Sequence, residues 1–200
     1  MNGRYKDRRY ANRGQDFEQF LRYVNERYRA EGVAIICKIP TEILPLRDGT
    51  GRICSAKVCS KSTVDYIGRV GSVPFAAEAK ETKGDSIRFD AVQEHQAAFL
   101  DAYSGQNEAI CLVLVSFNLN SFYAVPWAFW KPAREAWVNA QRNNKRKAEQ
   151  ITITYDGQTW TTPGKASVRE SELLPEWKVE MGGQYGLDYL LRYRKSGTIA

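Results

Sequence analysis

Residues 109–117 read Ala-Ile-Cys-Leu-Val-Leu-Val-Ser-Phe, the most hydrophobic run of a 200-residue chain. Such a run is too short to span a bilayer. It has no apolar–polar alternation, so as a strand it must be covered on both faces. A chain that carries it has to build a sheet and lay other structure against each side. The rest of the pattern supplies that cover and predicts an α/β domain, a mixed central sheet flanked by helices.

Apolar residues Phe17, Phe20, Leu21, Val24 and Tyr28 recur at three- and four-residue steps, predicting an amphipathic helix over 15–30 that Gly32 ends. Asp16 strengthens its first turn. Residues 33–39 predict a buried strand. Pro40, Pro45, Gly49 and Gly51 then break regularity, and residues 41–60 read as an exposed excursion or extended hairpin. Strands follow at 62–67 and 73–80, then a helix over 89–103 closed by Gly105. A strand at 121–125 leads into a Trp-rich helix over 126–139. Asp156-Gly157, between short β-prone runs, is a hairpin signal. The Leu187-Asp188-Tyr189-Leu190-Leu191 segment predicts a last turn or two of helix. Length and pattern predict one domain over 1–200, with residues 1–12 as a flexible basic arm.

A hydrophobic fraction of 43% excludes global disorder. Lys and Arg outnumber Asp and Glu 29 to 23, giving +6. The excess is concentrated. Arg4, Lys6, Arg8, Arg9 and Arg13 face only Asp7, and Arg142, Lys145, Arg146 and Lys147 have no acid among them. Charge runs are ordinarily solvated surface. Interleaving with Tyr5 and Tyr10 fits instead an arm that orders on DNA. The four cysteines, Cys37, Cys54, Cys59 and Cys111, form no Cys-x-x-Cys pair, and His95 is the single histidine, so a structural zinc site is not expected. Cys37 and Cys111 lie in apolar runs and read as core. The polar, basic start and the lack of a membrane-length apolar stretch predict a cytoplasmic protein with no membrane partner.

The chemistry sits in Asp65 and in Glu78-Ala79-Lys80. On a strand, Glu78 and Lys80 project to one side and Ala79 to the other. A Gly-Arg-Val-Gly turn follows Asp65, so a hairpin would set Asp65 opposite Glu78. Two carboxylates beside an ammonium suit a hard divalent cation and phosphodiester hydrolysis. The Ala79 carbonyl is a third candidate oxygen, and Glu18 on the first helix would reach the same ion through water. Gln96 on the second helix would hold water or phosphate. The plain alternative is that Glu78 and Lys80 pair across a solvated strand face. Trp127, Trp130 and Trp137 read as core before they read as base-stacking groups.

Together these residues resemble the RecU family of Holliday-junction resolvases, within the PD-(D/E)XK nuclease superfamily. The resemblance runs through Ala11-Asn12-Arg13-Gly14, Glu18, Asn25, Tyr28 and Lys38-Ile39-Pro40-Thr41. It continues in Ser62-Thr63-Val64-Asp65-Tyr66, Glu78-Ala79-Lys80-Glu81-Thr82-Lys83, Glu94-His95-Gln96 and Leu187-Asp188-Tyr189-Leu190. It implies a restriction-endonuclease-like sheet and a homodimer that cuts four-way junction DNA with Mg²⁺, for which Mn²⁺ could substitute. It also allows a recombinase as a partner. On this reading Asp65 and Glu78 hold the metal, Lys80 is the catalytic lysine and Glu18 the first-helix acid. Thr63 and Gln96 support the site, and Arg13 binds phosphate, with Arg4, Arg8 and Arg9 in the arm. Residues 41–60 take the place of a protruding stalk.

The chain departs from the family pattern at Val64, where a second Thr is usual, and at Gln93, where a His is common. Neither removes a carboxylate. Two alternatives stay open: a restriction-type endonuclease that cuts linear duplex, and a non-catalytic junction-binding recombination factor.

Overall fold

The computed structural model describes residues 13–58, 63–105 and 109–195. Helix α1 (Arg13–Ala30) is followed by β1 (Ala34–Lys38), a hairpin of β2 (Ile43–Arg47) and β3 (Ile53–Val58), then β4 (Tyr66–Val70), β5 (Val73–Thr82) and β6 (Ser86–Arg88). Next come α2 (Glu94–Ser104), β7 (Ile110–Phe117), β8 (Ser121–Pro126) and α3 (Trp127–Arg142). The C-terminal part holds short strands β9 (Thr152–Tyr155), β10 (Gln158–Thr161), β11 (Ser167–Arg169), β12 (Lys178–Val179), β13 (Met181–Gly182) and β14 (Gly186–Leu187), then α4 (Leu191–Lys195).

The main sheet has the order β1-β4-β5-β7-β8-β12. β5 and β7 are parallel and every other pair in it is antiparallel. This is the mixed sheet flanked by helices that the pattern predicted, and it is consistent with a nuclease-like fold. All eight residues of β7 are buried. Leu112 and Leu114 pack with Phe17, Leu21, Val24 and Tyr28 of α1 on one face. Cys111, Val113, Val115 and Phe117 pack with Ala97 and Leu100 of α2 and with Trp127, Phe129 and Trp130 of α3 on the other. The alternation along β7 thus splits the protein into two cores.

The C-terminal Asp188-Tyr189-Leu190 segment closes the first core against α1. The Tyr28 hydroxyl donates to Asp188 Oδ1 at 2.7 Å and accepts from the Leu190 amide at 3.3 Å. The Tyr189 hydroxyl donates to Asn25. Residues far apart in sequence are therefore one structural unit.

Gly68 in β4 is required by close approach: a Cβ there would run into the Ile35 carbonyl of β1. The Asp156-Gly157 hairpin forms as predicted, with both residues at positive φ (49° and 71°), the pairing a two-residue type I′ turn demands.

Four expectations need correction. The strand expected over 62–67 is β4 at Tyr66–Val70, so Gly68-Arg69-Val70 is strand and the turn falls at residues 71–72. β1 is not a buried strand: Ala34 and Ile36 are buried, but Ile35 is 53% exposed and Cys37 is exposed. β1 is the sheet edge, and α1 covers one of its faces only. Cys37 is therefore not core, whereas Cys111 is. The second helix does not start at Phe89: residues Phe89–Ala91 form a 3₁₀ turn, and Gln93 caps a helix that begins at Glu94. Residues 41–60 do contain an extended hairpin, β2–β3, whose described residues are exposed and which pairs with no strand of the main sheet.

Candidate active site

β4 begins at Tyr66, which pairs with Ala77 of β5. β5 runs on to Thr82, held on its other side by β7. The next position of the antiparallel ladder sets Asp65 opposite Glu78. The Asp65 amide donates to Glu78 Oε2 at 3.1 Å, and the Ala79 amide donates to Asp65 Oδ2 at 2.9 Å. Each carboxylate thus holds the other residue's strand where the regular ladder stops. The Asp65 carbonyl is held in turn by the Ile39 amide at 2.8 Å.

Glu78 and Lys80 project on the α2 face, and Ala79 packs against the α1 core. Glu78 is 1% exposed. It accepts from Lys80 Nζ and from Gln96 Nε2, the latter at 2.6 Å. Burial, and after it the negative charge of Asp65, push the Glu78 carboxyl up to about 7 against the pull of Lys80. One ammonium does not balance two carboxylates in a desolvated corner. Asp65 and Lys80 are half-buried, so the corner opens to solvent on their side.

Gln96 is fixed before it reaches Glu78. Its Oε1 accepts the Gln93 amide at 2.9 Å, half of a reciprocal cap between N-cap and N3 of α2. Its Oε1 also lies 3.4 Å from Lys80 Nζ. The cap spacing is legible in the sequence as Gln93-x-x-Gln96, although Gln is an unusual N-cap.

Glu18 lies in the second turn of α1 and pairs with Lys38 of β1 rather than with the two acids. Both line a cleft of about 430 Å³ between α1 and β1, together with Asn25 and Tyr66. Tyr66 is 2% exposed, and its hydroxyl has no hydrogen-bond partner among the described residues. Burial, then the charges of Glu18, Asp65 and Glu78, push its phenol up, so it keeps its proton. Tyr66 thus feels the charge of Glu18 and of both carboxylates. Neither Tyr66 nor Lys38 is evident from spacing, because both depend on how α1 lies across β1 and β4.

Thr63 is exposed two residues before Asp65. Arg13 begins α1. Arg4, Arg8 and Arg9 fall outside the described residues, as does Cys59. Among the described residues no three His, Cys, Asp or Glu side chains gather into a metal cluster, so Asp65 and Glu78 stand as a pair. That pair fits a hard divalent cation: two carboxylates meet, one is buried and short of positive charge, and the backbone at Ala79 lies alongside.

A family model described as Recombination protein U matches residues 12–190. The chain belongs to the RecU family. Relatives in that family include proteins named Holliday junction resolvase RecU. One from Streptococcus pneumoniae (strain Hungary19A-6) is 33% identical over 115 residues, 54% of this chain and 58% of the relative. One from Streptococcus equi subsp. equi is 34% identical over 134 residues, 62% and 64%. One from Streptococcus equi subsp. zooepidemicus (strain MGCS10565) is 35% identical over 128 residues, 58% and 61%. The chain spans about three fifths of the length of these RecU relatives. Among the described residues no helix is long and apolar enough to cross a membrane.

Proposed function

We propose that this protein is a divalent-metal-dependent endonuclease that resolves four-way DNA junctions in recombination by paired, symmetrical nicks. The observation that carries the reading is the Asp65–Glu78 pair with Lys80 and Gln96 at the end of the β4–β5 ladder. The names of the RecU relatives supply the substrate class. Bound between Asp65 and Glu78, Mg²⁺, or Mn²⁺ in its place, would supply charge stabilisation at the phosphoryl oxygens.

The protein's own groups do the rest. Lys80 Nζ lies beside the carboxylates, where it orients the attacking water or offsets charge on the phosphoryl group. Gln96 fixes the rotamer of Glu78, and the Ala79 amide fixes Asp65. The water oxygen bonds to phosphorus and gives up a proton to solvent, the bond to the leaving oxygen breaks, and that oxygen takes a proton from solvent. A homodimer would present two such sites to opposed strands, in keeping with the near two-fold symmetry of a junction. The exposed β2–β3 hairpin would engage the junction centre, and Arg13 with the preceding arm would hold phosphates. Glu18, through Tyr66 and Lys38, would shape the entrance.

The test compares a labelled immobile four-way junction with a matched linear duplex, in Mg²⁺ and in EDTA, for the unaltered protein and for Asp65→Asn. Paired nicks in the junction, lost in EDTA and lost in D65N with binding retained, support the reading. Cutting by D65N would sink the site, equal cutting of the duplex would favour a restriction-type enzyme, and binding without any cutting would favour a junction-binding factor.

A further inference from the structure

We propose that the exposed basic turn at residues 142–147, just past α3, binds the phosphate backbone of the duplex arm that enters the active site. The position of the turn comes from helix packing; that a duplex enters at Glu78 rests on the function proposed above.

α2 and α3 lie antiparallel. At the far end of α2, Asp101 accepts from the Trp127 indole at 2.8 Å and pairs with Lys131 at 2.9 Å. At the near end, Arg134 donates to the Val92 carbonyl at 2.8 Å and to Glu94 at 2.9 Å. Trp137 reaches Asp90, ahead of α2, at 3.2 Å. The last turns of α3 therefore overhang the N-terminus of α2. That is the end of α2 whose first turn puts Gln96 on Glu78. Arg142 lies eight residues beyond Arg134, roughly 12 Å farther along the helix. Its charge still reaches Glu94: hydrogen bonding from Arg134, and at longer range the charge of Arg142, hold that carboxyl below its ordinary value.

The turn has a defined shape. The Lys145 amide donates to the Ala140 carbonyl at 2.8 Å and the Asn144 amide to the Gln141 carbonyl at 3.0 Å, with Asn144 at φ 53°. This is a Schellman end, with a left-handed residue just past the helix. The Ala148 amide then ties the segment to the Gly164 carbonyl at 3.1 Å. Arg142, Lys145, Arg146 and Lys147 are all exposed, and none makes an ion pair among the described residues. The helix dipole accounts for a cation in the last turn, hence Arg142. It does not account for three more beyond it. Glu135 and Glu149 border a hollow of about 240 Å³ with Lys145 and Lys147, which still leaves the turn in positive excess.

Duplex DNA is the occupant that fits this placement. It offers a negative charge about every 1.7 Å of axis, and one helical turn is about 34 Å. Arg134 touches Glu94, two residues before the Gln96 that holds Glu78, and the basic turn starts roughly 12 Å farther along α3, a small part of one duplex turn. An acidic protein surface would have no reason to lie in register with the active site.

The test titrates the whole 200-residue chain against linear duplex and four-way junction across a salt series, in EDTA so that nothing is cut. The triple variant Lys145→Ala/Arg146→Ala/Lys147→Ala is expected to bind about tenfold more weakly at low salt, with a slope of log K on log salt smaller by roughly 2–3. Arg146→Ala alone lowers it by about 1. The variants should melt like the unaltered protein. In Mg²⁺, single-turnover cutting at sub-saturating protein should fall in step with the loss of binding. A salt slope equal to that of the unaltered protein overturns the proposal and leaves the turn to some other anionic partner. If the unaltered protein cuts neither substrate, the nuclease reading fails, while the slopes still decide whether the turn binds phosphate.

Discussion

Gln96 Nε2 lies 2.6 Å from Glu78 Oε1, so a helix on one face of the sheet fixes a carboxylate on the strand beneath it. The amide is itself oriented by the Gln93 backbone. Gln96→Leu should therefore leave the carboxylates in place but free to change rotamer. Cutting is expected to fall about 10–100-fold, the usual cost of losing an outer-shell partner, with junction binding little altered. Single-turnover cleavage beside a binding titration separates the two. An equal loss in both would mean that Gln96 holds DNA instead.

Glu78 makes stability depend on pH. Its folded value, about 7, stands above the ordinary 4.5. A carboxyl raised in this way favours the folded state fully below about 4.5, and that contribution is lost as pH rises to about 7. Above that, the ionised group costs on the order of 3 kcal/mol relative to a neutral one. Glu78→Gln should melt higher than the unaltered protein at pH 8 in EDTA, and the difference should close at pH 5. Adding Mg²⁺ at pH 8 should raise the melting temperature of the unaltered protein more than that of E78Q. Thermal melts at the two pH values check both statements.

Tyr28 joins α1 to the C-terminal segment through Asp188 and the Leu190 amide. Tyr28→Phe keeps the ring packing and deletes the hydroxyl, leaving a buried amide unsatisfied. A loss of about 1–3 kcal/mol is expected in urea unfolding. The stability cost should come without loss of cutting by the folded fraction.

The β2–β3 hairpin carries Ile43, Leu44 and Ile53 at 51–61% exposure, and the main sheet does not depend on it. Replacing residues 41–60 with a short Gly/Ser linker should change stability by no more than about 0.5 kcal/mol. The preference for a junction over linear duplex should vanish, while metal-dependent cutting remains. An undiminished preference would place junction recognition elsewhere.

Much of this was legible in the chain itself. The unbroken apolar run of β7, the three- and four-residue steps of α1 and the Asp156-Gly157 turn are local patterns, and local patterns report which faces an element must bury. The shared side of Glu78 and Lys80 follows from strand geometry alone, and the hairpin after Asp65 from Gly71, although Gly68 to Val70 belong to the strand. These determine two covered cores and a carboxylate pair next to a lysine.

Other features depend on which element lies beside which. Cys37 sits in an apolar run yet is exposed, because its strand is the sheet edge, where the Arg29 guanidinium rather than an apolar layer meets its sulfur. Glu18 pairs with Lys38 and shares a cleft with Tyr66, because α1 packs against β1 there. The last turns of α3 run past the N-terminal end of α2, the end that carries Gln96, because Arg134 and Trp137 lock the two helices antiparallel. Periodicity is a property of neighbours in the chain and can be read residue by residue. Edge position, charge partners and helix direction arise from contacts between elements that are distant in sequence, and they exist only once the layers have packed.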